Sequence, residues 1–157
     1  RYLSGCSQAI WSGDEPLLVR NYDYSPDAVD AVLLKTKWLG REVIGMSDGL
    51  FGLVDGMNDA GLAVSLTFGG RQETGEGFGV PLIIRYILQT CKNTREARAV
   101  LKRVPCHMSY NVTVVDAERH FLTAYLVSKV TAAPPEHIQH IVEDIRVPHG
   151  AGEAISH

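Results

Sequence analysis

Over the first 70 residues, apolar positions recur mainly at every second place, in short runs closed by glycine, proline or charged residues. That spacing is the mark of half-buried strands. Ser7–Trp11 and residues 16–21 read as the two arms of a hairpin, with Gly13-Asp14 at the turn. Segments 31–36, 42–47 and 63–67 read as further strands. The pattern then changes. Residues 69–79, GGRQETGEGFG, are glycine-rich and polar, and predict a surface loop able to cover a pocket. Pro81 suits a first helical position, and Ile84, Ile87, Leu88 and Cys91 fall on one helical face after it. Thr94 is the expected N-cap of a second helix carrying Ala97, Val100, Leu101 and Val104 at similar spacing. Both helices should pack on a sheet. Residues 110–115 alternate as a strand, 116–119 turn, and 121–127 return as its hairpin partner. Strands, two helices, then strands is an α+β order, the order of half an αββα sandwich.

Composition narrows the choices. A chain of 157 residues with 45% hydrophobic content can bury a core as one domain. Its net charge is -3 and its 15 Lys and Arg are scattered, so no nucleic-acid partner is expected. The apolar run 80–88 is interrupted by Arg85 and too short to span a bilayer, and no signal-peptide pattern precedes Cys6. The expectation is no membrane partner and a cytoplasmic location. Three cysteines without close spacing argue against a disulfide framework or zinc site, and Cys91 and Cys106 read as buried apolar residues. His137, His140, His149 and His157 fall in an irregular tail with no cysteine or carboxylate at ligand spacing, so no metal is expected. Glycines 75, 77 and 79 do not form a dinucleotide fingerprint, and Asn111-Val112-Thr113, a glycosylation pattern, lies inside an expected strand. The chain opens on Arg1 rather than methionine, which reads as a part of a longer precursor or a chain that has lost its start.

The candidate chemistry centres on Cys6. A thiol is the side chain most nucleophilic at neutral pH and gains from a neighbouring base or cation. The hairpin would fold Arg20 and Asp23, in VRNYDY, back beside it. Were the Gly5-Cys6 bond broken, Cys6 would carry an α-amine of ordinary pKa about 7.7–8.0, suited to act as a general base. The bland alternatives are a structural cysteine near a chain end and an Arg-x-x-Asp ion pair on a solvated surface.

Four segments in order, SGCSQ, RNYDY, DGMNDAGLAVSLTFGG and YNVTVVD, resemble the N-terminal nucleophile hydrolases that cut linear amides. The nearest branch is the acyl-coenzyme A:6-aminopenicillanic acid acyltransferase-like proteins, with penicillin V acylases, bile salt hydrolases and acid ceramidases as more distant kin. The resemblance runs from about residue 5 to 126. It implies an αββα sandwich, here its N-terminal half or a truncated version, with residues 1–5 as the remnant of a pro-segment and 128–157 as a divergent tail. It also implies roles. Cys6 would free its own α-amine by self-cleavage and then act as nucleophile. Asp23 would orient that amine, and Arg20 would favour the thiolate and hold Asp23. The backbone N–H of Thr67 would line the oxyanion site, where bile salt hydrolases carry an asparagine. The family's second donor is an asparagine in a Thr-Asn-His-Gln segment; the nearest stretch here, EHIQH, puts His137 in its place when Gln139 is aligned. Asn58 reads as a turn-former with a structural role, and Asn111 as a packing or hydrogen-bonding residue beside the site. Of the aromatics around the site, namely Trp11, Tyr22, Tyr24, Trp38, Phe51 and Phe68, the substrate contacts expected are Tyr22, Tyr24 and Phe68. The implied activity is a hydrolase or acyltransferase of linear amide bonds working through a cysteine thioester, with no cofactor, a small amide or acyl substrate as partner, and a homo-oligomer left open. A non-catalytic truncated copy of the same fold is the alternative. A papain-type site would need a distant histidine base that the sequence does not offer.

Overall fold

The computed structural model describes residues 6–11, 14–70, 73–128, 140–143 and 153–155. The first hairpin forms as its alternation predicts, β1 (Ser7–Trp11) pairing antiparallel with β2 (Leu17–Asn21) so that Gln8 faces Arg20 and Ser7 faces Asn21. Gly13 of its turn lies outside the described residues. After it come β3 (Leu33–Thr36), β4 (Val43–Asp48), β5 (Gly52–Asn58) and β6 (Ala63–Phe68). The third strand begins two places later than the alternation suggests, because Ala31 takes a left-handed backbone with φ 51°.

The fifth strand is absent from the sequence reading, which places no strand between 47 and 63 and reads Asn58 as a turn-former. Its two glycines and its aspartate break the apolar pattern, yet close packing requires both glycines. A Cβ on Gly56 would lie 2.5 Å from Ile44 O and 3.0 Å from a Leu88 methyl, and one on Gly52 would strike the Pro81 ring. Helix α1 (Val80–Thr90) therefore sits directly on β5.

In α1, Pro81 occupies the first turn after Gly79, and Val80, Ile83, Ile84, Ile87 and Leu88 are buried. Burying one such side chain fully is worth about 1.5–3 kcal/mol. Helix α2 (Thr94–Arg103) buries Ala97, Val100 and Leu101, with Val104 packed at the edge of the core. Its N-cap is Asn93, not Thr94: the Asn93 carboxamide accepts from Glu96 N at 3.0 Å, and the Glu96 carboxylate reaches back to Lys92 N at 2.8 Å. Thr94 is instead buried and donates from both N and Oγ1 to Asp116. That carboxylate also accepts from Glu118 N and His120 N, so it ties the helix to the turn between β7 (Tyr110–Val115) and β8 (Phe121–Leu126).

Two further strands come from the region read as irregular. His140 belongs to β9 (His140–Glu143), which pairs with β8, and β10 (Glu153–Ile155) pairs with β1. His137, His149 and His157 lie outside the described residues. The result is a seven-stranded antiparallel sheet in the order β3-β4-β5-β6-β7-β8-β9 and a three-stranded sheet in the order β10-β1-β2. Helix α1 covers β4 to β6, α2 covers β7 and β8, and the small sheet meets β6 from the other side. Gln8 bridges the sheets: Ser65 Oγ donates to its Oε1 at 2.7 Å, and its Nε2 donates to Thr113 Oγ1. The described residues thus supply helix, sheet and sheet layers of an αββα-type α+β fold. No helix among them is long and apolar enough to cross a membrane.

Candidate active site

Strand periodicity positions the thiol. Cys6 stands two places before Gln8, so it shares the face that Gln8 turns toward the large sheet. Continuing the β1–β2 register one step sets Cys6 opposite Tyr22. Both line a cavity of about 460 Å³. Asp23, Tyr24 and Phe68 line it too, so five of the seven residues expected at the site meet around one space. Leu66, Val54 and Met108 add apolar wall.

Arg20 and Thr67 are not among the lining residues. The Arg20 side chain is 4% exposed and does not hold Asp23. Its Nη2 and Nε donate to Asp55 Oδ2 at 2.5 and 3.0 Å, and its guanidinium carbon lies 4.4 Å from the centre of the Tyr22 ring. Pointing inward beside Gln8, Arg20 meets the large sheet first, and there β5 offers a carboxylate. Asp23 accepts from Asn21 Nδ2 at 2.6 Å instead. Arg20 Nη1 is buried and has no hydrogen-bond acceptor among the described residues. Thr67 is 4% exposed and its Oγ1 accepts from Asn111 Nδ2 at 3.2 Å, while its neighbours Leu66 and Phe68 reach the cavity from the opposite face of β6.

The sequence reading missed three members of the site. Tyr110 packs edge-on to Phe68, with ring centres 6.2 Å apart, and lines the cavity. Asp48 lines it from the end of β4, and Asp55 partners Arg20. Tyr22 and Tyr24 stack at 5.6 Å. Burial first, then the Asp48 carboxylate, pushes the Tyr22 phenol up to about 12. Tyr110 is likewise pushed up to about 12, by burial above all. The other expected aromatics lie elsewhere: Trp11 and Phe51 are exposed, and Trp38 stacks under Arg85 at 3.7 Å.

The glycine-rich loop, described from residue 73, runs along 105–109, with hydrogen bonds from Gly75 N to His107 O and from Phe78 N to Pro105 O. Asn58 has the structural role expected. It uses all four valences, donating to Leu88 O and Cys91 O and accepting from Ala60 N and Leu62 N. Cys91 and Cys106 are buried, which pushes both thiols up. A hollow of about 530 Å³ at the start of α2 includes Asp116 and His120, but the bonds of Asp116 to backbone amides and Thr94 mark it as structural.

Comparison with known proteins agrees with this architecture. No curated protein sequence matches the chain. Among solved structures, penicillin V acylase from Agrobacterium tumefaciens superposes with a TM-score of 0.57 at 16% identity, covering 88% of this chain and 49% of that one. Two structures of conjugated bile acid hydrolase from Clostridium perfringens, a cysteine-to-alanine mutant and an arginine-to-leucine variant, give 0.58 at 14% and 0.60 at 12%. They cover 89% and 90% of this chain and 51% of each of those. The chain thus spans about half the length of these structures, and at such identities the likeness is one of fold. The family model described as acyl-coenzyme A:6-aminopenicillanic acid acyl-transferase matches residues 11–141. With most of its length inside that match, the chain belongs to the acyl-coenzyme A:6-aminopenicillanic acid acyl-transferase family.

Proposed function

We propose that the chain carries the nucleophile of a hydrolase or acyltransferase acting on linear amide bonds. The observation that carries this reading is the meeting of Cys6, Tyr22 and Asp23 around one aromatic-walled cavity. Family membership over residues 11–141 supports it, as does the fold shared with a penicillin V acylase and a conjugated bile acid hydrolase. In this reading the bond before Cys6 is first broken, freeing its α-amine. The amine takes the thiol proton, and the Cys6 sulfur attacks the substrate carbonyl carbon. The carbon–sulfur bond forms as the carbon–nitrogen bond breaks, and the departing amine leaves with the proton. Water or a second amine then attacks the thioester, releasing an acid or a new amide and restoring the thiol. Asp23 orients the α-ammonium. Arg20, its charge shared with Asp55, acts on the thiolate from beneath the Tyr22 ring, and Thr67 N–H with His137 would supply the oxyanion donors.

Intact mass and labelling test the reading together. A mature species beginning at Cys6, acylated once by an amide substrate and labelled by iodoacetamide at Cys6 ahead of buried Cys91 and Cys106, is the expected result. Cys6→Ala should abolish processing and acylation. Amide turnover surviving in that variant would overturn the assignment. A chain that neither processes nor acylates would instead be a folded, non-catalytic copy.

A further inference from the structure

The charge around the cavity is lopsided. Its lining includes two carboxylates, Asp23 and Asp48, and among the described residues no lysine, arginine or histidine. Arg20, whose guanidinium lies 4.4 Å from the centre of the Tyr22 ring, is already paired with Asp55 at 2.5 Å. Asp23 accepts from Asn21 and, in the amidase reading, faces the α-ammonium of Cys6. Asp48 is left over: it is half-buried and has neither a hydrogen-bond donor nor a counter-ion among the described residues. Its field reaches both Tyr22 and Tyr110, so it stands near the aromatic walls. Those walls are the stacked pair Tyr22 and Tyr24 and the edge-on pair Phe68 and Tyr110. Aromatic faces carry negative potential and attract ammonium groups, the more so where water is excluded. A half-buried carboxylate among such faces disfavours anions twice over, by repulsion and by desolvation.

We propose that the cavity beside Cys6 takes an amide bearing a protonated amino group, with Asp48 as counter-ion and the four aromatic rings as walls. The proposal rests on the amidase reading for the word amide; the preference for a cation stands on the cavity itself.

Binding and turnover separate the two claims. Phenethylammonium, phenethyl alcohol and phenylpropionate share size and ring but differ in charge, and their dissociation constants for the 157-residue chain can be measured by calorimetry without any reaction. The ammonium should bind about tenfold or more tighter than the alcohol, with phenylpropionate weakest. Asp48→Asn should erase most of that preference and Asp48→Glu should keep it. Equal binding of the three, tighter binding of phenylpropionate, no binding of the ammonium, or an undiminished preference in Asp48→Asn overturns the proposal. Should Asp48→Asn fail to fold, the ranking in the unaltered chain decides alone. If the ranking fails while a neutral amide acylates Cys6, the cation claim falls and the amidase reading stands. If the ranking holds while no amide acylates Cys6, the reverse is true.

Discussion

Arg20 and Asp23 are three places apart, yet they engage different partners. Sequence alone made the meeting of Cys6 and Tyr22 legible, because a strand of period two sends alternate side chains to one face and the hairpin pairing fixes which ones meet, whereas Asp23 reaches the cavity from beyond the end of β2, where that alternation no longer applies. The partner of Arg20 was not legible. Asp55 comes from β5, a strand whose residues do not look like one, so the short-range Arg-x-x-Asp pattern was the natural but mistaken pairing. Tyr110 was missed for a similar reason, being brought to the cavity by its distant pairing with Phe68, whereas Asp48 ends a local hairpin and nothing in its spacing marks it. The two half-buried phenols give a prediction in pH. Folding raises Tyr22 and Tyr110 from the ordinary 10 to about 12, so the native state holds their protons more tightly than the unfolded chain does. The stability linked to this is complete below pH 10 and is lost as pH rises from 10 to about 12. Denaturant unfolding should therefore show a falling midpoint over that window, with a smaller fall in Tyr22→Phe and Tyr110→Phe. A loss just as steep in both variants would show that other groups cause it.

Elements with a strong period were read well, and those shaped by close approach were not. Both helices bury the faces their spacing announced, since 3.6-residue recurrence survives whatever they pack against. The fifth strand hid because glycine, poor in strand propensity, is what lets α1 settle on the sheet. The N-cap shifted by one because Asn93 and Thr94 are both able caps, and Asp116 claimed the threonine. Asn58 joins these elements, fastening the C-terminal end of α1 to the turn after β5 through four hydrogen bonds. Asn58→Ala should strand two carbonyls and two amides in a site only 7% exposed, costing about 3 kcal/mol. Urea unfolding measures this directly, and a loss below about 1 kcal/mol would mean that water takes over the role of the amide.

For the whole molecule, the tail matters more than its composition suggested. Strand β10 gives β1 its second neighbour, and without it the small sheet would be a bare hairpin, marginal by itself. Removing residues 144–157 should lower Tm by about 2–4 °C for each kcal/mol lost, and hydrogen exchange at β1 should quicken while β4 and β5 stay protected. Unchanged exchange at β1 would show that packing on the large sheet holds the hairpin unaided. That packing depends heavily on Gln8, the buried polar residue of β1 that bridges Ser65 and Thr113. A strand that slips by one place keeps a ladder of hydrogen bonds but turns the opposite side chains inward. In β1 such a slip would carry Cys6 to the outer face, leaving a molecule fully sheeted but with its thiol turned away from the cavity. It would also strip the buried Ser65 hydroxyl of its acceptor and leave Thr113 only its bond with Thr123, and so it is disfavoured. Gln8 thus works as a checksum on the placement of Cys6: a side chain outside the cavity sets what fraction of molecules presents the thiol to it.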